Sequence, residues 1–271
     1  MTRIFASTGC LRADFWQTLD RYCDAGLTDV ELGTTNEPLG ERLVHRLRAY
    51  ELRYVVHNYF PPPAQRFVLN LASPDADVRA RSLRLVQDAL AISAVLDSPL
   101  YSVHAGFVSD PVGFDGGSFV FSGGGDADAA MARFRESIDV ALARAAELGV
   151  DLLVENNVCT PETRGMLLLQ TPEEFEELPG FGILLDTGHL NVSARTLGFD
   201  REEFVRRLGS RIRAVHLHDN DGTADRHEPV ALDSWALRTV RASDARAVVV
   251  EALFANVEAL RAHVEELRGA L

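Results

Sequence analysis

The chain has 271 residues, 46% of them hydrophobic, and sets 40 acidic side chains against 27 basic ones for a formal net charge of -13. That is enough apolar content for a large core and too even a mixture for a disordered or fibrous chain. The negative balance argues against a nucleic-acid partner, whose affinity rests on Lys and Arg neutralising phosphates, although a local basic rim is compatible with an acidic whole. Lysine is absent from the sequence, so Schiff-base chemistry on a lysine amine is excluded and electrophilic help must come from arginine, histidine or a metal.

No N-terminal stretch joins a basic head to an apolar core, and no apolar run approaches the ~18 residues of a membrane span. Cys10, Cys23 and Cys159 share no metal-binding or redox spacing. A cytoplasmic protein is expected, with self-association into a homo-oligomer left open.

In chain order, eight short β-like runs alternate with longer helix-like segments. The runs are RIFAST (3–8), DVELG (29–33), RYVVH (53–57), LYSVH (100–104), DLLVE (151–155), GILLD (182–186), RAVHLH (213–218) and AVVVE (247–251). Between them, stretches such as DADVRARSLRLVQDALAISAVL carry apolar residues at helical spacing and Asp or Gly at their ends. This predicts a parallel sheet with helical crossovers, closed as a single (β/α)8 TIM barrel over residues 1–271, since such barrels run near ~250 residues. An open doubly wound sheet is disfavoured because no G-x-G-x-x-G turn follows the first run. The Gly-rich segment DPVGFDGGSFVFSGGGDAD (110–128) reads as a long lid or binding loop after the fourth run.

Six of the eight runs close on YVVH, YSVH, LLVE, ILLD, AVHLH and VVVE, each ending in a group able to bind a metal or move a proton. In a barrel these are the C-terminal strand ends, the face that carries the active site. Glu155, Asp186, His216 and Glu251 end four neighbouring strands. Three carboxylates and an imidazole around one axis would be costly to bury unpaired, and a divalent metal is the simplest neutraliser. The oxygen-rich set suits Mn2+, Mg2+ or Co2+, with Zn2+ less favoured by ligand type.

Glu155 and Glu251, three strands apart, are placed to remove and return a proton next to a carbonyl whose enediolate the metal stabilises. The surplus negative charge is expected to raise at least one glutamate pKa. His57 and His104 are candidates for a second metal or for substrate, and His189 falls on the same side as Asp186 if a helix begins there. Glu31 either points inward or forms a plain salt bridge. His45 and His263 read as solvated helix residues, and PEEFEEL as an acidic first helical turn.

The segments VENN, LLDTGHLN, VHLHDNDGTADRHEPV and VVVEA resemble the sugar phosphate isomerase/epimerase superfamily of xylose isomerase-like barrels, which also contains endonuclease IV-type abasic-site nucleases. The likeness spans nearly the whole chain. It implies one divalent metal on Glu155, Asp186, His216 and Glu251, the two glutamates as acid and base, and His189 and Arg226 on substrate oxygens. The nuclease branch implies more than one ion, with His57, His104, His189, Asp225 and His227 as further ligands.

Two departures stand out: VALDSW follows HEP where isomerase-like members carry a GEG-type turn, and Gly188 and NDG stand where the nucleases carry a Cys and a Ser-Lys pair. His218, Asp219 and Asp221 are expected only to support their loop through hydrogen bonds. Arg164, Arg195 and Arg226 are candidates for a phosphate or carboxylate on the substrate.

The expected function is metal-dependent isomerisation or epimerisation of a sugar, sugar phosphate or related hydroxy-carbonyl compound in carbohydrate metabolism. A dehydratase using the same enediolate, an abasic-site DNA phosphodiesterase with three metals, and a non-catalytic ligand-binding barrel are the alternatives.

Overall fold

The computed structural model describes residues 2–33, 39–115 and 118–271. Eight parallel strands close a barrel: β1 (Arg3–Ser7), β2 (Asp29–Leu32), β3 (Arg53–His57), β4 (Leu100–His104), β7 (Asp151–Glu155), β8 (Gly182–Asp186), β9 (Ile212–Leu217) and β10 (Ala247–Val250). Round the barrel the order is β1, β10, β9, β8, β7, β4, β3, β2, with β1 paired to both β10 and β2. Each barrel strand matches one sequence run, with ends moved by no more than one residue.

The helices between them are α1 (Phe15–Asp24), α2 (Glu41–Arg48), α3 (Ala76–Val95), α4 (Ala127–Leu148), α5 (Pro172–Glu176), α6 (Thr187–Leu197), α7 (Arg201–Leu208), α8 (Trp235–Arg241) and α9 (Val257–Ala270). Their starts follow local chemistry: Asp75 and Asp126 accept N–H groups in the first turns of α3 and α4, and Thr171 and Glu174 close a capping box on α5. The acidic run at 172–178 thus opens a helix as predicted.

Side chains alternate across a strand, so residues two apart share a face. Phe5, Val55, Leu100, Leu153, Leu184, Ala214, Ala247 and Val249 form a small apolar cluster that fills the barrel interior, separate from the larger core. Two residues beyond Val55, Leu153, Leu184, Ala214 and Val249 stand His57, Glu155, Asp186, His216 and Glu251. The packed interior therefore aims these polar groups at the barrel mouth.

Two expectations are corrected. The Gly-rich segment is not plain loop: β5 (Gly113–Asp115) and β6 (Ser118–Val120) pair as an antiparallel hairpin. Strands of three residues are too short to leave an alternation signal in the sequence. His263 is buried, with its ring 5.4 Å from that of Phe254 and its pKa lowered by desolvation. It shares the inward stripe of α9 with Leu260, Val264 and Leu267, whereas His45 is exposed as expected.

Candidate metal centre

Asp186 shows how the chain builds the centre. It ends β8 and also caps α6, its Oδ1 accepting the His189 N–H at 2.7 Å. The helix begins one residue after the strand, so His189, three residues on, is carried back over the mouth beside Asp186. The other oxygen, Oδ2, accepts from His218 Nε2 at 2.9 Å.

His216 is the hub. Its Nε2 lies 2.7 Å from Glu31 Oε2, while its Nδ1 faces Glu251 Oε2 at 3.0 Å, Glu155 Oε1 at 3.4 Å and Asp186 Oδ2 at 3.8 Å. Glu155 turns its second oxygen the other way, to His104 Nε2 at 3.3 Å and His57 Nε2 at 3.5 Å. The remaining nitrogen of His57 is held by the Ser102 hydroxyl at 2.9 Å.

A third group gathers on Asp225. Its Oδ2 lies 3.1 Å from His227 Nε2 and 3.4 Å from His189 Nε2, and its Oδ1 lies 3.7 Å from His218 Nδ1. The loop bearing these residues is closed at its base by paired backbone bonds between Asp219 and Glu228, at 2.8 and 3.0 Å. His227 adopts a left-handed backbone with φ of 51°, unusual for a residue other than glycine, and stacks on His218 with ring centroids 4.2 Å apart.

The donor set fits divalent ions. Glu155 Oε2, His216 Nδ1, His218 Nδ1, Asp225 Oδ1 and His104 Nδ1 are buried without a hydrogen-bond partner. Each such atom costs on the order of 1–3 kcal/mol unless something else satisfies it. Among the described residues, five overlapping groups of three at this mouth bring their ligand atoms within 4.8 Å of one another, and Glu155, Asp186, His57, His216 and His218 each take part. That is room for more than one ion.

The charges support the same arrangement. Burial pushes the Glu155 carboxyl up, but His104, His216 and His57 outweigh it and hold it well below the usual carboxylate range. Glu251 is likewise lowered, burial being overcome chiefly by His216. Both departures run opposite to the expected rise, because imidazoles surround these carboxyls as closely as other carboxylates do. Burial opposes charge on His227 too, yet Asp225 raises its pKa to about 9, and Glu251, Glu31 and Glu155 raise that of His216 well above its ordinary value.

Beside these groups opens a cavity of about 530 Å3, lined by His104, His189, Asp225 and His227 together with Phe107, Phe114 and Phe119.

Residues 19–260 match the family model described as the xylose isomerase-like TIM barrel. The chain belongs to that family. An uncharacterized protein of Methanocaldococcus jannaschii is 28% identical over 184 residues, which is 66% of this chain and 55% of the relative, so the alignment spans about half the relative's length. Among solved structures, a D-tagatose 3-epimerase-like protein matches with a TM-score of 0.71 at 20% identity, covering 99% of each chain. A Thermus thermophilus protein soaked with ZnCl2 matches at 0.65 and 24%, covering 98% of each. Endonuclease IV from the same organism matches at 0.58 and 20%, covering 97% of this chain and 99% of that one. At these identities the structures establish a shared fold.

Within this xylose isomerase-like barrel, Glu155, Asp186, His216, Glu251, His57, His104, His189, Asp225 and His227 all come together. Arg226 does not. Its side chain is 51% exposed and its guanidinium reaches Asp221 at 3.3 Å, so it is not among the cavity's lining residues. Arg164 and Arg195 are also spent elsewhere, on the carbonyls of Thr196 and Asp221.

One participant exceeds what the sequence indicated, and one alternative it left open is decided. His218, expected only to brace its loop, is fully buried and shares Asp186 and Asp225 with the centre. Its position two residues beyond His216 was the available signal. Glu31 points inward, onto His216. Gly188 explains one departure from the nuclease pattern, since a Cβ there would stand 2.0 Å from His218 Cε1. A side chain at 188 and the His218 ring in this position exclude each other.

Proposed function

We propose that this barrel is a divalent-metal-dependent isomerase or epimerase of a sugar-like hydroxy-carbonyl compound. The observation that carries the reading is the placement of Glu155 and Glu251, on strands three apart, around one atom, Nδ1 of His216, at 3.4 and 3.0 Å. A dication held by Glu155, Asp186, His216 and Glu251 would polarise the carbonyl and offset the negative charge that develops when the neighbouring carbon loses a proton. Mn2+, Co2+ and Zn2+ are the ions to try first.

One glutamate takes that proton and the other returns one. Return to the same carbon from the opposite side gives the epimer, and return to the former carbonyl carbon gives the isomer. The imidazoles favour the ionised carboxylates, which is the state a base requires. His104 and His189, both facing the cavity, are placed to hydrogen-bond substrate oxygens.

The test is proton exchange. With Mn2+, Co2+ or Zn2+ in D2O, a panel of ketoses should acquire deuterium next to the carbonyl by NMR, and Glu155→Gln and Glu251→Gln should each abolish it. A protein that binds no divalent ion, or that exchanges none of the panel, overturns the reading. Phosphodiester cleavage at abasic DNA is the second reading, favoured by the additional groups on His57, His104, Asp225 and His227. The net charge of -13 and a cavity lined by no arginine among the described residues count against it, and incision of an abasic-site oligonucleotide would establish it.

A further inference from the structure

The cavity has two unlike kinds of lining, and the proposed chemistry uses only one of them. Alongside the imidazoles, Phe107, Phe119, Phe114, Leu69, Val158 and Leu167 contribute an apolar wall. Its aromatic rings run outward in series: Phe119 meets Phe107 edge-on at 4.7 Å and Phe114 meets Phe119 edge-on at 5.3 Å. Phe107 is buried at the barrel rim and anchors the hairpin. Phe114 anchors nothing comparable: it is 66% exposed, yet it faces the cavity.

Apart from the imidazoles of the candidate metal centre, no basic side chain lines the cavity among the described residues. Among the described residues no arginine lines it, Arg164, Arg195 and Arg226 are engaged outside it, and the chain has no lysine. The residues at 34–38 and 116–117, Thr-Thr-Asn-Glu-Pro and Gly-Gly, add no cation. Beside the phenyl rings a phosphate would find no arginine or lysine to pair it, an environment that disfavours an unpaired charge.

We propose that the hairpin wall is a subsite for an uncharged aryl or alkyl substituent of the substrate. The substrate class is then a neutral hydroxy-carbonyl compound with an apolar tail, rather than a phosphorylated sugar. The head-group half of this statement rests on the proposed isomerase reading; the wall itself does not.

Calorimetric titration of the Mn2+-loaded protein with dihydroxyacetone, dihydroxyacetone phosphate and 1-hydroxy-4-phenylbutan-2-one separates the two halves. The phenyl compound should bind about tenfold or more tightly than dihydroxyacetone, as expected for burying a phenyl group, and the phosphate no more tightly. Phe114→Ser, at an exposed position, should erode the phenyl preference, and Phe114→Ser with Phe119→Ser should remove it while leaving dihydroxyacetone binding unchanged. In the metal-free protein, 4-phenylbutan-1-ol, which has no chelating head, should bind wild type and not the double variant. If the alcohol behaves so while no hydroxyketone binds, the wall stands and the head-group reading fails. Tighter binding of the phosphate than of the phenyl compound, or a phenyl preference that survives both substitutions, overturns the proposal.

Discussion

Glu31 and His216 meet across the barrel mouth, Oε2 to Nε2 at 2.7 Å, although β1 and β10 lie between their strands. The carboxylate accepts the hydrogen bond of Nε2–H and turns Nδ1 toward Glu155, Asp186 and Glu251. Such a partner orients a metal-binding histidine and raises its basicity. Glu31→Gln should therefore weaken divalent-metal affinity by about 10- to 100-fold, measured by competition with a chromophoric chelator. An unchanged affinity would mean that the pair only packs the barrel.

The raised histidines give metal uptake a defined pH dependence. His227, with a pKa of about 9, and His216 and His189, both raised well above the ordinary value, must lose protons before they can ligate. Apparent affinity for Mn2+ or Co2+ should rise with pH, by about tenfold or more between pH 6.5 and 8.5, with measurable proton release in weakly buffered solution. Stability of the metal-free protein runs the other way. A group raised in the folded state contributes most below its ordinary pKa and loses that contribution as pH climbs through about 9. The metal-free Tm should fall between pH 7 and 9, and the metal-loaded Tm should fall less.

Arg226 sits beside two centre residues, Asp225 and His227, yet its guanidinium is exposed and pairs with Asp221. Exposed pairs contribute about 0–1 kcal/mol. Arg226→Ala should leave metal affinity and proton exchange within about twofold of wild type, a change of ~0.4 kcal/mol. A loss of exchange by a factor of ten or more, with metal affinity intact, would restore the role the resemblance implied for this arginine.

The polar groups that end the strands were legible because a parallel barrel strand is buried on both faces and reads as an unbroken apolar run, so its polar terminus stands out, as Glu155 does after Leu152, Leu153 and Val154. Glu31 was ambiguous because DVEL is polar in the middle, and its inward orientation follows only from barrel alternation. His218 lies just beyond its strand, where sequence alone cannot separate extended backbone from loop. Arg226 and His227 illustrate the limit most directly: the left-handed turn at His227 sends neighbouring side chains to different sides, and no residue type announces it. The burial of His263, by contrast, was within reach, since Leu260, Val264 and Leu267 mark its stripe at helical spacing.

Gly188 tests whether the His218 ring belongs to the centre in this position. An alanine Cβ there would stand 2.0 Å from Cε1 and 2.4 Å from Nδ1 of a ring that is fully buried, bonded to Asp186 at 2.9 Å and stacked on His227. Two effects oppose each other. Replacing a helical glycine by alanine stabilises by up to ~1 kcal/mol, whereas forcing a packed side chain aside costs roughly 1–3 kcal/mol. The ring is fully buried and held by Asp186 and His227, so the clash should win. Gly188→Ala should lower Tm by a few degrees, about 2–4 °C per kcal/mol in a chain of this size, and should weaken the stabilisation that added metal provides. His218→Asn removes the ring and with it the clash, so combining the two substitutions should cost less than the sum of the singles. Strict additivity, or a Gly188→Ala protein with undiminished Tm, would show that the ring leaves easily and that Asp186 and Asp225 do not depend on it.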